Sequence, residues 1–404
     1  MTPGRRAWAV PSGPEPPLAL VRRPSGDVVS VQVSDHPTGE QLAGPPPARH
    51  ARRRSARPRV IRLVKIAVSL ALMAGLVLAV LPRAAHAPWG DVVDAIQSLS
   101  IAQVVILCAV WFLGLYAHSF VLTASLPQLT HRRAITLNLT GSAVSNLVPF
   151  GGAFGVGLNY AMSRSWGFSK PAFTVYTFVS NLALLLTKLS LPLLAVLALL
   201  FTDQVLHQQV MTLVAVALVA FVLFTAGMGV SLCHEGAARF LGRGADRVIG
   251  WALALVRSRR TVNVQRTLLD LRRESLGLLR RAWLQLSMGM LAYSALQALL
   301  LWLSLHMIGS TLTVAQVLAG YAFERVLTIA AVTPGGAGLV EVGMAALLIA
   351  FGGAPVVTVA GVLIYRAFIF GLELPVGGMV LLVWLCRRAT TTAQPAVAGS
   401  EGSV

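Results

Sequence analysis

Apolar runs too long for a soluble core decide what this 404-residue chain can become. Continuous hydrophobic stretches fall at about 63–81, 101–126, 171–201, 209–232, 282–307 and 356–386. A helix rises about 1.5 Å per residue, so about twenty apolar residues cross the ~30 Å hydrocarbon layer of a bilayer. In lipid every backbone N–H and C=O must find a partner inside the segment, and unbroken runs of this length achieve that as helices. Composition agrees: 56% of residues are hydrophobic and 12% charged, about half the charged fraction usual in soluble domains. An ordinary soluble enzyme is excluded. The expectation is an all-α, polytopic integral membrane protein with about six full spans.

The formal charge of +18 would suggest nucleic acid in a soluble chain. In a membrane chain, excess Lys and Arg first report topology, and no nucleic-acid partner is expected. Residues 1–62 hold 11 of the 21 prolines and 11 arginines against 4 acids, without apolar period. They read as a disordered basic tail. The first apolar run begins at Leu63, too deep for a cleavable signal peptide, and reads as an uncleaved signal anchor. Segment 233–281 again carries 11 arginines against 4 acids. Its apolar stripes beside arginine, at 248–251 and 268–273, suit a helix lying on an anionic leaflet, or else a solvated loop. The positive-inside rule places both basic segments in the cytoplasm. Pro88 to Ser100, with Val92, Ile96 and Leu99 on one face, reads as a short helix on the opposite surface. Residues 389–404 read as a second disordered tail. The only lysines are Lys65, Lys170 and Lys188. That arginine bias suggests a GC-rich bacterial genome, hence a bacterial inner membrane, with both termini cytoplasmic.

Two further apolar stretches, 134–166 and 313–352, are interrupted by Pro149-Phe150-Gly151-Gly152 and by Pro334-Gly335-Gly336. Their halves are short for spans, so each reads as a helical hairpin or a broken helix. An interrupted backbone at membrane depth survives only where protein or a water-filled cavity satisfies its polar groups. Between the two basic segments lie four spans. That even number keeps both segments on one side only if 134–166 enters and returns, which favours the hairpin. The breaks also match each other. Gly151-Gly152-Ala153 recurs as Gly335-Gly336-Ala337 at an offset of 184, and Pro171, Thr174 and Val175 recur as Pro355, Thr358 and Val359. Three spans separate the two stretches, so the second enters from the opposite side. The expected arrangement is an inverted repeat with two re-entrant hairpins, a pointer to a substrate site near the bilayer midplane. Chance matching in apolar sequence is the alternative.

Several chemistries have no support. Cys108, Cys233 and Cys386 are isolated, no HExxH occurs, and no lysine sits in a phosphate-binding Walker loop. No metal or cofactor is implied, no ATPase engine is recognisable, and no nucleophile–base pair argues for an enzyme. What remains are ionisable groups inside the apolar stretches: Lys188, Glu324, Arg325, Glu341, Arg366 and Glu373. Such groups are costly in lipid and face a bundle interior or a cavity. Five of the six lie in the second half, around the Pro334 break. Helix starts after the glycine pairs would aim free N–H groups at an anion, with Gly335, Gly336 and Gly338 allowing close approach. Arg325 and Arg366 would add forked donors suited to phosphate. The first break offers Asn146, Gly151 and Gly152, with Asn138, Ser142, Ser145 and Asn159 nearby. Three cations against three acids sum to zero, and structural ion pairs would give the same balance.

The run Pro334-Gly335-Gly336-Ala337-Gly338-Leu339-Val340-Glu341, followed by Gly353-Ala354-Pro355 and Tyr365-Arg366, resembles the lysylphosphatidylglycerol synthase transmembrane family. Glu324-Arg325 matches that family's arginine ahead of the PGG, and Asn146 to Gly152 resembles its earlier N-x-x-P…GG element. The similarity spans roughly residues 60–388. It implies a helical flippase-like domain with paired re-entrant elements that handles lipid-linked substrates. In the synthases this module accompanies a soluble aminoacyl-transferase domain. Only small and polar residues follow residue 388, so that activity is not carried over. After Gly152 a basic residue is expected, but Asn159 comes first and Arg164 later, which shifts weight to the second half.

Two functions compete at this stage. One is a translocase for an anionic lipid or lipid-linked substrate, passive or driven by an ion gradient. The other is a non-catalytic membrane partner that positions a separate synthase or glycosyltransferase.

Overall fold

The computed structural model describes residues 71, 74–147, 151–200, 264–330 and 334–392, two short strands near the N-terminus, and isolated residues at 219, 222, 223, 226 and 227. The N-terminal unit, Met1–Ser55, contributes one described feature. Strands β1 (Ala19–Arg22) and β2 (Val28–Val31) pair antiparallel, with Ala19 opposite Val31. The rest of the basic tail, the apolar run at 209–232 apart from those isolated positions, the start of the run at 63–81, and the basic stretch up to residue 263 lie outside the described residues.

The described part of the second unit is helical. In chain order its helices are α1 (Leu76–Ala85), α2 (Trp89–Gln97), α3 (Ile101–Ser125), α4 (His131–Leu147), α5 (Gly152–Ser165), α6 (Lys170–Leu200) and α7 (Val264–His306). After these come α8 (Val314–Ala330), α9 (Leu339–Ala350), α10 (Pro355–Arg366) and α11 (Glu373–Thr392). Among the described residues, four stretches are long and apolar enough to cross a membrane: Ile101–Ser125, Lys170–Leu199, Ser275–His306 and Pro355–Arg388. They coincide with four of the six expected spans. Their outward faces are apolar: Ile101, Val105, Phe112 and Leu113 on α3, Trp283 and Leu291 on α7, and Leu382 on α11 are exposed. Such a surface fits lipid rather than water.

Helix α7 is longer than expected. It has 43 residues, about 65 Å at the standard rise and twice the hydrocarbon thickness. The span expected from residue 282 is therefore the later part of a helix that already runs through residues 264–281. Helices α3 and α7 pack antiparallel. Ser100 and Gln103 cap α3 reciprocally, and Gln103 Nε2 reaches the Met307 carbonyl at 3.4 Å beyond the far end of α7. Further along, Gly114 faces Leu296 and Gly289 faces Val121, so small residues let the backbones approach. The face of α2 that carries Val92 and Ile96, with Leu99 just beyond the helix, is turned into the core, against the cluster that contains Val359, Ala360 and Ile364 of α10.

Both interrupted stretches are hairpins. In the first, Thr140 Oγ1 contacts Met162 Sδ at 3.4 Å and Arg133 lies over the Trp166 ring at 5.2 Å, so the start of α4 lies beside the end of α5. In the second, Gln316 Nε2 donates to the Phe351 carbonyl at 3.0 Å, joining the start of α8 to the end of α9. The arms also exchange partners. Helix α4 packs on α11, which follows the second hairpin, and α8 packs on α6, which follows the first.

Two prolines shape the helices around them. Pro375 cannot donate to the Gly371 carbonyl and its ring crowds it, and a π-helical turn, Ala367–Leu372, lies just ahead. Pro82 is likewise preceded by a π turn, Leu76–Val80. The Leu78 carbonyl, which the residue at 82 would otherwise satisfy, accepts a hydrogen bond from Trp89 Nε1 at 3.0 Å.

Candidate functional site

The tips of the two hairpins meet. A methyl group placed on Gly335 would touch the Asn146 side chain at 3.1 Å and collide with the Phe370 ring. At the second tip the chain reverses through Gly335, Gly336 and Gly338, with φ of 57°, 73° and 91°. Side chains disfavour these values, and glycine takes them freely. Helix α9 starts immediately afterwards, and its third residue, Glu341, reaches back: Oε2 accepts the Gly338 N–H at 2.6 Å. The other oxygen, Oε1, accepts from Arg366 Nε at 2.7 Å. Arg366 Nη2 donates to the Gly335 carbonyl at 3.0 Å, and Nη1 lies 3.5 Å from Glu324 Oε1. One arginine thus fastens the turn by its carboxylate and its carbonyl. Glu341 and Arg366 are 4% and 6% exposed.

Arg325, on α8, pairs with its neighbour Glu324 at 2.5 Å, without an N–H aimed at the oxygen. Its Nη2 donates to the Tyr365 hydroxyl at 2.8 Å, and its guanidinium lies over the Tyr321 ring at 4.9 Å. Lys188, on α6, donates to Thr328 Oγ1 of α8 at 3.1 Å.

These groups border a cavity of about 490 Å³ between the two tips. Lys188, Glu324, Arg325, Arg366 and Glu373 supply its charged walls, and Asn146, Gly151, Gly152, Gly335 and Gly336 supply the tips. Ten of the twelve expected site residues therefore come together. Gly338 and Glu341 stand behind the wall, where the glycine packs against Leu76 and the carboxylate is held by the clamp. Three cations and two acids then face the space, one positive charge more than the balanced set counted along the chain. Arg366 and Glu373 both line it even though the π turn between them adds a residue to the regular helical register.

The first tip is built differently. Asn138, Ser142 and Ser145 of α4 present uncharged polar groups to the cavity. Helix α5 begins at Gly152 with no side-chain cap and no acid in its first turn. Its first N–H groups, at the positive end of the helix dipole, therefore meet no carboxylate among the described residues, whereas those of α9 meet Glu341. A second polar pocket of about 290 Å³ shares Asn138, Ser142, Ser145 and Asn146 with the first and continues past His118, Asn159 and Asn181. Asn159 Oδ1 is buried there with no hydrogen-bond partner.

Sequence reasoning missed Tyr293, Gln297, Thr328 and Phe370, which also line the charged cavity. Tyr293 and Gln297, four residues apart in an apolar span, form a polar stripe on one helix face, a signal that could have found them. Thr328 follows Arg325 by one turn. Phe370 is placed by the π turn, which spacing alone does not reveal.

An arginine carries five N–H donors. Arg366 spends three on protein acceptors. The remaining donors of Arg325 and Arg366, with the Lys188 ammonium, give the cavity the means to hold a multivalent oxygen anion. Among protein families, the one described as the lysylphosphatidylglycerol synthase TM region matches residues 62–377. No curated protein matches the chain.

Proposed function

This chain belongs to the lysylphosphatidylglycerol synthase transmembrane-region family, and from that premise we propose that it is a translocase for a lipid or lipid-linked substrate with an anionic head group. The family makes it an integral membrane module related to lipid metabolism. The observation that carries the finer reading is a polar, net-cationic cavity lying between two backbone breaks in a domain with an apolar exterior. Burying five ionisable groups in such a place is costly, and a transient anionic occupant gives the cost a use. The head group would lie between the uncapped start of α5 and the guanidinium groups of Arg325 and Arg366. Its acyl chains would stay in the bilayer. No step of this cycle makes or breaks a covalent bond, so we read the protein as a carrier rather than an enzyme.

An inverted repeat is the architecture that best serves this cycle. Shifted by 184, His131–Leu147 falls on 315–331, against the observed Val314–Ala330, and both arms have 17 residues. The open end of the first hairpin lies by Trp384, late in α11. The open end of the second lies by Pro355, at the start of α10. Since α10, the π turn and α11 form one continuous helix, the hairpins approach the cavity from its opposite ends. Two access routes to one site, one from each side, are what alternating access requires. The positive-inside rule then assigns the cytoplasm to the side carrying Arg132, Arg133, Arg387 and Arg388, in a bacterial inner membrane.

Purified protein in liposomes with fluorescent phospholipids tests the proposal, with dye in the outer leaflet quenched by a membrane-impermeant reductant. Wild type is expected to move anionic lipids between leaflets, and Arg366→Ala and Lys188→Gln to slow this at least tenfold. Wild-type protein that leaves every anionic head group in place would sink the translocase reading. A stoichiometric synthase or glycosyltransferase co-purifying with such an inert protein would favour the membrane-partner role instead.

A further inference from the structure

Beside the charged cavity lies the polar pocket of about 290 Å³, walled by residues of α3, α4, α5 and α6. The two spaces share Asn138, Ser142, Ser145 and Asn146, so one molecule can reach from one into the other. Their chemistry differs. Among the described residues the lining of the smaller pocket holds no Asp, Glu, Lys or Arg. What it offers is mainly oxygen acceptors. Thr177 and Ser180 spend their hydroxyl protons on carbonyls one turn back in α6, at 2.9 and 2.7 Å, and Asn181 Nδ2 donates to the Thr177 carbonyl at 2.7 Å. The oxygens of these three side chains keep their capacity to accept. Asn159 Oδ1 and His118 Nδ1 are buried with no hydrogen-bond partner, and a buried polar atom is costly to leave unmet. An ionised phosphate oxygen has no proton to give, so acceptors of this kind do not hold it. An ammonium group would find acceptors here but no carboxylate to balance its charge. Neutral hydroxyls, which donate and accept at once, match what the lining presents. Phe173 and Tyr176 add two buried rings, a surface suited to the C–H face of a sugar ring.

We infer that this pocket is a subsite for a neutral ring polyol, a sugar or a cyclitol, esterified to the phosphate held in the charged cavity. The inference rests on the reading of that cavity as the seat of an anionic head group. The phosphate lies with Arg325, Arg366 and Lys188. The ring lies across the shared asparagines and serines, and its outer hydroxyls donate to Asn159, Thr177, Ser180 and Asn181. The number of acceptors favours a ring over glycerol. A glycerol ester has two free hydroxyls and leaves most of these oxygens unmet, whereas a ring carries hydroxyls around its whole edge. The charged cavity thus sets the charge of the substrate, and the neutral pocket sets its class.

Native mass spectrometry of the full chain, released from detergent with one added lipid at a time, tests it. The probes are phosphatidylinositol, phosphatidylglycerol and phosphatidylethanol, which carry the same single charge and differ in their hydroxyls. Wild type is expected to retain phosphatidylinositol at least tenfold better than phosphatidylethanol, with phosphatidylglycerol between them. A hydrogen bond to a neutral hydroxyl is worth roughly fivefold in affinity. Asn159→Leu is therefore expected to lower phosphatidylinositol retention about fivefold and to leave phosphatidylethanol unchanged. Equal retention by wild type of phosphatidylinositol and either other lipid overturns the inference, and that comparison needs no variant. A preference for phosphatidylethanolamine over phosphatidylinositol would mark an ammonium site and also overturn it. Competition by free inositol 1-phosphate at equal concentration supports the subsite and assigns it to a soluble ester rather than a lipid head group. Retention is independent of movement between leaflets. Wild type that selects phosphatidylinositol yet moves no lipid sinks the translocase reading alone, and wild type that moves anionic lipids without this selection sinks the present inference alone.

Discussion

The two hairpins have the same plan and opposite electrostatics. Each sends a 17-residue arm to a glycine tip at the central cavity and returns through a shorter helix. The first tip is neutral. Its returning helix starts uncapped, and its arms are held by close small-residue packing, with Gly155 facing the Gly141 carbonyl and Ser145. The second tip is a charged lock in which three left-handed glycines are tied by Glu341 and Arg366. The difference teaches that a break in a membrane helix can be stabilised in two ways. A tip left neutral keeps its backbone donors available to a ligand. A tip that spends its donors on its own carboxylate gains rigidity, and recognition passes to the arginines around it.

Substitutions can break or sharpen this contrast. The largest loss is expected from Glu341→Gln, which leaves the buried Arg366 short of a counter-charge. Thermal unfolding in detergent is expected to show a cost of about 3–5 kcal/mol, the range for breaking a buried ion pair. A combined Glu341→Gln and Arg366→Ala variant should then cost clearly less than the two single losses added together. Next comes Gly335→Ala, which forces a side chain into φ 57° against Phe370 and Asn146. A penalty of about 2–3 kcal/mol follows from backbone strain and overpacking together. At the first hairpin, Gly155→Ala drives a methyl into Ser145 and the Gly141 backbone, for about 1–3 kcal/mol. The smallest effect belongs to Gly152→Ala. Nothing lies within 4 Å of its would-be Cβ and its φ is not left-handed, so stability should stay level or rise by up to about 1 kcal/mol. If Gly152→Ala proved as damaging as Gly335→Ala, the two tips would not differ as described.

Much of this plan was legible along the chain. Apolar length located the four long apolar helices found among the described residues, and the Pro-Gly breaks located both tips. The cost of charge in lipid singled out five residues that line the cavity. Pairing was not legible, because which acid meets which base depends on how separate helices turn toward one another. Glu341 reads as a cavity ligand until α9 is seen to begin at Leu339, two residues before it, with the Gly338 N–H at the helix start as the donor it meets. Arg366 and Glu373 read as one helical face because a seven-residue spacing returns to the same side, and the π turn ahead of Pro375 alters that register. The start of α7 was hidden as well. Its first turns are rich in arginine, and hydropathy sees the edge of the apolar stretch rather than the edge of the helix.

The Glu341–Arg366 pair also bears on how the chain is made. Glu341 lies on the returning arm of the second hairpin, and Arg366 lies on the helix that follows, 25 residues later. Either side chain entering lipid alone would meet an insertion penalty of about 2.5–3.5 kcal/mol. As a hydrogen-bonded pair they carry no net charge. During synthesis, then, the second hairpin gains by waiting at the translocon until Arg366 has left the ribosome and the two segments can partition together. The first hairpin, with no such partner to await, is free to settle as soon as it emerges.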